Sequence, residues 1–356
     1  MKTALFYGGR DIRVEQSPIP KPGDGQVLVA VRAAGICGSD LHFYRGASIW
    51  DDTPHLPHRR GHELAGVIAE LGSGANGYAV GQRVGIEPAH LIGCGHCQEC
   101  IEGQYHICSL RDKDGNRLRS GGFAEFDLAA MSNIFPLPDN VSFEAASMID
   151  VYACGVHALN RTPVCDGSSV AIVGAGPLGM ALGQIARASG AGPVIMVGRR
   201  DQALAAAARA GAADMVINRP SPSETALAVQ KITSGRGASV VFETAGGDGE
   251  TLATAIAIAA PGASIGLLGC FEGSTPVKYS VAASKELSII WLNGYSTWRG
   301  KREYLTALDL LSDGKVSAER LISHRFPLGD LPEAFATAAD KVSSRAIKVV
   351  VEPQGE

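Results

Sequence analysis

Ser168-Ser-Val-Ala-Ile-Val-Gly-Ala-Gly-Pro-Leu-Gly179 begins as an apolar, β-branched run and ends on three glycines spaced G-x-G-x-x-G, with the helical pattern MALGQIARASG directly after it. A buried strand passing through a tight turn into a helix is the opening of a parallel crossover unit. The alternation continues downstream: PVIMVG, RDQALAAAARAGA, MVIN, a helix near Ser223–Ser234, ASVVFETAG, a helix near Glu250–Ala260, ASIGLLG and LSIIWLNG. These strands are almost continuously apolar, as strands covered on both faces must be. The segment 156–295 therefore reads as a doubly wound α/β domain of Rossmann type.

Outward from that segment the character changes. Residues 1–155 are rich in Gly and Pro and carry short alternating runs such as QVLVAVRAAG and AGVIAELG, the pattern of an irregular β domain. After residue 295, a helix near Lys301–Leu311 and an RFPL/IKVVVE tail are too short for a core of their own, so 296–356 is expected to complete the first domain.

The glycine turn has a chemical reading. Gly174 permits the turn, Gly176 lets backbone approach a pyrophosphate, and Gly179 lets helix and strand pack closely, while Pro177 and Leu178 begin the helix whose N-terminus stabilises phosphate charge. At the end of the next strand, where a carboxylate would accept the ribose hydroxyls of NAD, the chain has Gly198-Arg199-Arg200. Two guanidinium groups and no acid at 198 attract a 2′-phosphate, which predicts NADP(H), with NAD(H) as the alternative. Asp201 leaves two readings open: a ribose acid displaced by a few residues, or a first-turn helix residue.

Composition narrows the class. Of 356 residues, 46% are hydrophobic and 19% charged, and the formal net charge is −4, without a Lys/Arg run. That balance excludes a disordered chain and argues against nucleic-acid or anionic-membrane partners, which need a concentrated positive field. Leu252–Phe271 is uncharged, but Pro261-Gly262 divides it into a helix-like and a strand-like half, so it reads as α/β core and not as a membrane span. The first residues, MKTALFYGGRDIRV, break off too early for an export signal, and a cytoplasmic location is expected.

Half of the eight cysteines lie in GCGHCQECIEGQYHIC, where Cys94, Cys97, Cys100 and Cys108 have Cys-x2-Cys-x2-Cys-x7-Cys spacing. Four thiolates close tetrahedrally on one Zn²⁺ with no open position, the hallmark of a structural site. A zinc ribbon that merely binds a partner would account for this cluster but not for the glycine turn.

Cys37 in GICGSDLHFYRG, His62 and Glu63 in GHELAG, and Asp150 in MIDVYACGVHA are separate segments that spacing alone does not join. Taken in order with the four-cysteine lobe and the glycine turn, they resemble the zinc-containing medium-chain dehydrogenases over essentially the whole chain, nearest to polyol dehydrogenases and bacterial NADP-linked secondary alcohol dehydrogenases. The resemblance implies a GroES-like catalytic domain beside the Rossmann domain. It makes Cys37, His62 and Asp150 ligands of a second, catalytic zinc, with Glu63 a neighbour that exchanges with water and Cys154 the fallback ligand. Ser39 and His42 become the proton path, and the implied reaction moves hydride between NADP(H) and a secondary alcohol or polyol and its ketone. Loss of those ligands would mark a relative without metal, and all are present.

One motif departs from the family. Polyol dehydrogenases carry Arg-Tyr before an N-T-W-like segment, whereas this chain has Leu292-Asn293-Gly294-Tyr295-Ser296-Thr297-Trp298, with Asn293 in place of the arginine. Tyr44 and Ser48-Ile-Trp50 read either as pocket wall or as core and subunit contact. Relatives form homodimers or homotetramers, which makes LSIIWLNG the expected edge strand of a subunit contact.

Overall fold

The six apolar runs of the middle segment form one sheet in the computed structural model, which describes residues 1–46, 56–88, 93–111, 121–218, 221–247, 249–271, 275–277 and 279–354. Ser48 and Trp50 lie outside the described residues. Across the sheet the order is Met215–Asn218, Val194–Gly198, Val170–Val173, Ala238–Glu243, Ala259–Leu267, Ser288–Trp291, and every pairing is parallel. Helices Pro177–Ala188, Asp201–Arg209, Pro222–Ile232 and Glu250–Ile258 make crossovers between these strands. In the doubly wound fold the sheet starts at its centre with Val170–Val173, runs outward one way, and returns to Ala238–Glu243.

By its internal contacts the chain divides into two units: Met1–Asp150 with Arg299–Ser312 and Ile322–Glu356, and Val151–Trp298 with Asp313–Leu321. Asp313–Leu321, part of the tail, is held in the second unit by Gln184. The Gln184 amide donates to the Ala210 and Ser317 carbonyls (2.8 and 3.2 Å) and accepts from Ser317 N (3.1 Å) and Tyr152 Oη (2.7 Å). A buried amide satisfied this fully resists removal, since any partner taken away leaves a desolvated dipole.

The half-and-half reading of Leu252–Phe271 holds, with the junction moved. The helix stops at Ile258, extended chain begins at Ala259, and the register with Ala238–Glu243 skips at Pro261-Gly262, where proline has no N–H to offer a ladder. Lys285 closes that helix end: its ammonium donates to the carbonyls of Ile256, Ala257 and Ala259 at 2.8–3.0 Å. No helix among the described residues is long and apolar enough to cross a membrane.

The first unit is built on a seven-stranded sheet whose main path runs Ile322–Pro327, Lys348–Glu352, Gln26–Gly35, Glu63–Leu71, Arg83–Ile86, Ile134–Pro136, with Phe126–Ala130 also on Gln26–Gly35. Two of its strands and the helix Leu331–Ala339 come from the tail. That helix buries Phe335 completely against Phe6 and Phe123, ring centroids 5.3 and 5.5 Å apart. Tyr44 joins this aromatic core, 5.5 Å from Phe335, and is a packing residue.

Candidate active site

Cys37 and His62 are brought to one sheet edge by antiparallel register. Gln26–Gly35 ends opposite the start of Glu63–Leu71, with Gly35 paired to Glu63, so the residue following one strand and the residue preceding the other emerge together. Donor atoms of Cys37, His62 and Glu63 all lie within 4.8 Å of one another. A Cβ on Gly35 would collide with the Glu63 carboxylate and with Cε of Lys348, so this position must stay bare.

Two residues that the sequence reading did not assign complete this centre. Lys348, buried in the tail strand, donates to Glu63 Oε2 and to the Ile36 carbonyl (3.0 Å). A buried carboxylate with such a partner stays ionised, whereas an isolated one would not. Asp40 is fully buried; its Oδ2 accepts from Cys37 N at 3.0 Å, and its Oδ1 lies 3.9 Å from His62 Nδ1 and 3.2 Å from Arg60 Nε. A carboxylate behind a histidine ligand fixes its tautomer and ring orientation. The signal for Lys348 was a single charge inside IKVVV, and for Asp40 a single acid in the helix after Cys37.

The electrostatics suit a cation. Burial opposes charge on His62, yet Cys37, Asp40 and Asp150 outweigh it and push its pKa up to about 10. A position that stabilises a proton this strongly stabilises Zn²⁺ in its place, and thiolate, imidazole and carboxylate are zinc's preferred donors. Asp150, almost buried in the first turn of helix Ile149–Arg161, acts on His62 through its charge, while its carboxylate lies outside the 4.8 Å group. Ser39 and His42 are one turn apart on helix Gly38–Tyr44, both half-buried, and share its face.

Cys94, Cys97, Cys100 and Cys108 form a second group, again with all sulfurs within 4.8 Å. The N–H groups of Cys94 and Cys97 point at Cys108 Sγ and Cys94 Sγ, both at 3.3 Å. Against burial, those backbone donors and the neighbouring thiols bring Cys108 down to about 6, and Glu99 sends Cys97 up to about 12. Negative charge is thus shared unevenly among sulfurs that one Zn²⁺ would hold alike. Within the same unit Tyr105, between the third and fourth cysteines, donates to buried Glu87 (2.6 Å), and Arg302 reaches that carboxylate from the tail (2.7 Å). Burial pushes Glu87 above the usual carboxylate range against the pull of Arg302 and Tyr105.

In the second unit, Gly174 has φ of 123°, and a Cβ on Gly179 would collide with the Gly174 carbonyl oxygen. Both glycines are required by geometry. Gly176 caps helix Pro177–Ala188 with no atom within 4 Å of a Cβ placed there, so the space before the helix N-terminus is open. Gly198 ends its strand, Arg199 is 3.3 Å from Glu250 on the surface, and burial lowers the pKa of Arg200. Asp201 begins the next helix and accepts from Asn218 Nδ2 at 2.6 Å.

Known proteins share this arrangement. Residues 23–139 match the alcohol dehydrogenase GroES-like domain, and residues 177–313 match the zinc-binding dehydrogenase domain. The chain is 32% identical to sorbitol dehydrogenase of Bacillus subtilis (strain 168), over 99% of this chain and 97% of that one. Among solved structures, 2R,3R-butanediol dehydrogenase from Bacillus subtilis superposes with a TM-score of 0.85 at 26% identity, covering 99% of both chains. A zinc-binding dehydrogenase from Sinorhizobium meliloti 1021 bound to NADP gives 0.84 at 28% identity, also covering 99% of both. With both domain models matched and one-third identity held end to end, the chain belongs to the zinc-containing medium-chain alcohol dehydrogenases, oxidoreductases that work with zinc and a nicotinamide cofactor.

Proposed function

We propose that the protein interconverts a secondary alcohol or polyol and its ketone with preference for NADP(H), the catalytic domain being 1–155 with 296–356 and the dinucleotide domain 156–295. Two zinc ions per subunit are proposed, a structural one on the four cysteines and a catalytic one on Cys37, His62 and Asp150 with Glu63 alongside. Zinc when bound supplies Lewis acidity to the alcohol oxygen, and the nicotinamide supplies the hydride acceptor. The chain's own residues do the rest. Asp40 orients His62, Lys348 holds Glu63 as a carboxylate, and the Ser39 hydroxyl passes the alcohol proton to His42, which releases it to water.

The observation that carries the cofactor reading is Gly198-Arg199-Arg200 at the second strand's end, together with the engagement of Asp201 by Asn218, which occupies the one nearby acid. The Arg199–Glu250 ion pair favours the alternative, an NAD-linked polyol or cyclitol dehydrogenase, because it neutralises one of the two guanidinium groups. Initial rates over secondary alcohols, diols, polyols and cyclitols, run with NADP⁺ and NAD⁺ in parallel, separate the two. Replacing Arg199 and Arg200 together by alanine is expected to lower kcat/KM for NADP⁺ roughly 10- to 100-fold, the worth of one charge-assisted phosphate contact, and to change NAD⁺ little. Equal losses for both cofactors would overturn the NADP assignment.

A homodimer or homotetramer is proposed through Ser288–Trp291, which ends the parallel sheet with Trp291 69% exposed. Unpaired edges invite pairing with a second copy. Sedimentation at micromolar concentration should give a dimer or tetramer, and a monomer would refute the contact.

A further inference from the structure

Ala238–Glu243 and Val170–Val173 are the neighbouring strands at which the order of the sheet reverses. In open parallel sheets the ligand crevice lies outside the carboxyl ends of the strands at that reversal, and the two mononucleotide halves of the fold divide the dinucleotide between them. Glu243 is the last residue of its strand, fully buried, and belongs to neither metal group. Its Oε1 accepts from the N–H groups of Ala245 and Gly246 at 2.8 and 2.9 Å, and its main-chain carbonyl accepts from Leu268 and Gly269 at 2.8 and 3.1 Å.

Around these bonds the loops at the strand ends are knitted together. Gly247 N donates to the Cys270 carbonyl at 2.9 Å, and a Cβ on Gly246 would collide with that same carbonyl oxygen. Thr244 Oγ1 donates to the carbonyls of Val173 and Gly174 at 3.2 and 3.1 Å, which fastens the loop to the first glycine of the turn. Glu243 Oε2, although enclosed, has no hydrogen-bond partner among the described residues. A carboxyl with one oxygen left bare in a dry site is a poor choice for simple core filling. Its service is the geometry that Oε1 imposes on the loop.

We propose that Glu243 is a positioning residue for the nicotinamide half of the cofactor, holding loops 244–247 and 268–271 in the spacing that half requires. The proposal rests on the reading of the glycine turn as the dinucleotide site. The adenosine half belongs to the strands on the other side of the reversal, so the two halves report separately.

The test compares binding of the intact dinucleotide with binding of its adenosine half, adenosine 2′,5′-bisphosphate for NADP⁺ or AMP for NAD⁺, to the full-length zinc-loaded protein. Glu243→Ala is expected to raise the dinucleotide Kd roughly tenfold and to leave the adenosine fragment unchanged. Glu243→Gln, which keeps an acceptor for Ala245 and Gly246, should recover most of that loss. Should the alanine variant not fold, Glu243→Asp, which withdraws the carboxyl by one methylene, is read in the same way. Unchanged dinucleotide binding, or an equal loss for both ligands, overturns the assignment. Gly176→Asp is measured alongside: if it weakens both ligands while Glu243 variants weaken neither, only Glu243 is misassigned, and if it weakens neither, the dinucleotide site itself is misread.

Discussion

Replacing Cys37 by serine should lower kcat/KM by about a thousandfold or more, equivalent to ~4 kcal/mol of lost Lewis-acid stabilisation, while the dinucleotide binds as before. The thiolate is the softest donor of its group, and a serine hydroxyl neither ionises near neutral pH nor matches zinc's preference for sulfur. The fold should tolerate the change. Cys37 is half-buried at the N-cap of helix Gly38–Tyr44, with extended backbone dihedrals, and serine is a good N-cap residue. Metal analysis of the purified variant should find one of two zinc ions gone and the four-cysteine ion retained. Wild-type turnover, or loss of both ions, would refute Cys37 as the catalytic ligand.

Gly176→Asp attacks the other half of the chemistry. The residue sits at φ −99° and ψ −178°, a backbone any amino acid adopts, and a Cβ there meets nothing within 4 Å. Aspartate is also a favourable N-cap, so the melting temperature should hold or rise. Yet the carboxylate would stand where the helix N-terminus receives pyrophosphate, and two anions cannot share it. The dinucleotide Kd is expected to rise at least about 100-fold, ~2.7 kcal/mol, with zinc content intact. A stable variant that still binds the cofactor normally would remove the phosphate role from this turn.

The features legible in the sequence were those fixed by near neighbours. The strand, turn and helix around Gly174–Gly179 are local, as is the spacing of the four cysteines, and the alternation of apolar strands and helices gave all six parallel strands. Partners distant along the chain left only faint marks. Lys348 reaches Glu63 across 285 positions, and Arg302 reaches Glu87 across 215. Each announced itself only as a charge in a place whose burial the sequence does not state. Helix Leu331–Ala339 was missed for a related reason: with Pro332 at its start and alanines along it, only the aromatic core that receives Phe335 makes it necessary. Asp150 came from family resemblance, and its carboxylate stands apart from the three clustered donors, so its role is the least fixed of the ligand set.

The order in which the chain is made has a consequence for the catalytic centre. Cys37, His62 and Glu63 are synthesised early, but the strand bearing Lys348 follows only after the whole of Val151–Trp298 has been made. Until then Glu63 lacks its ammonium partner, and the edge of Gln26–Gly35 that Lys348–Glu352 will cover has no strand beside it. A nascent chain therefore carries an acidic, thiol-bearing sheet edge through most of its translation, and the zinc centre matures after the dinucleotide domain is available to fold.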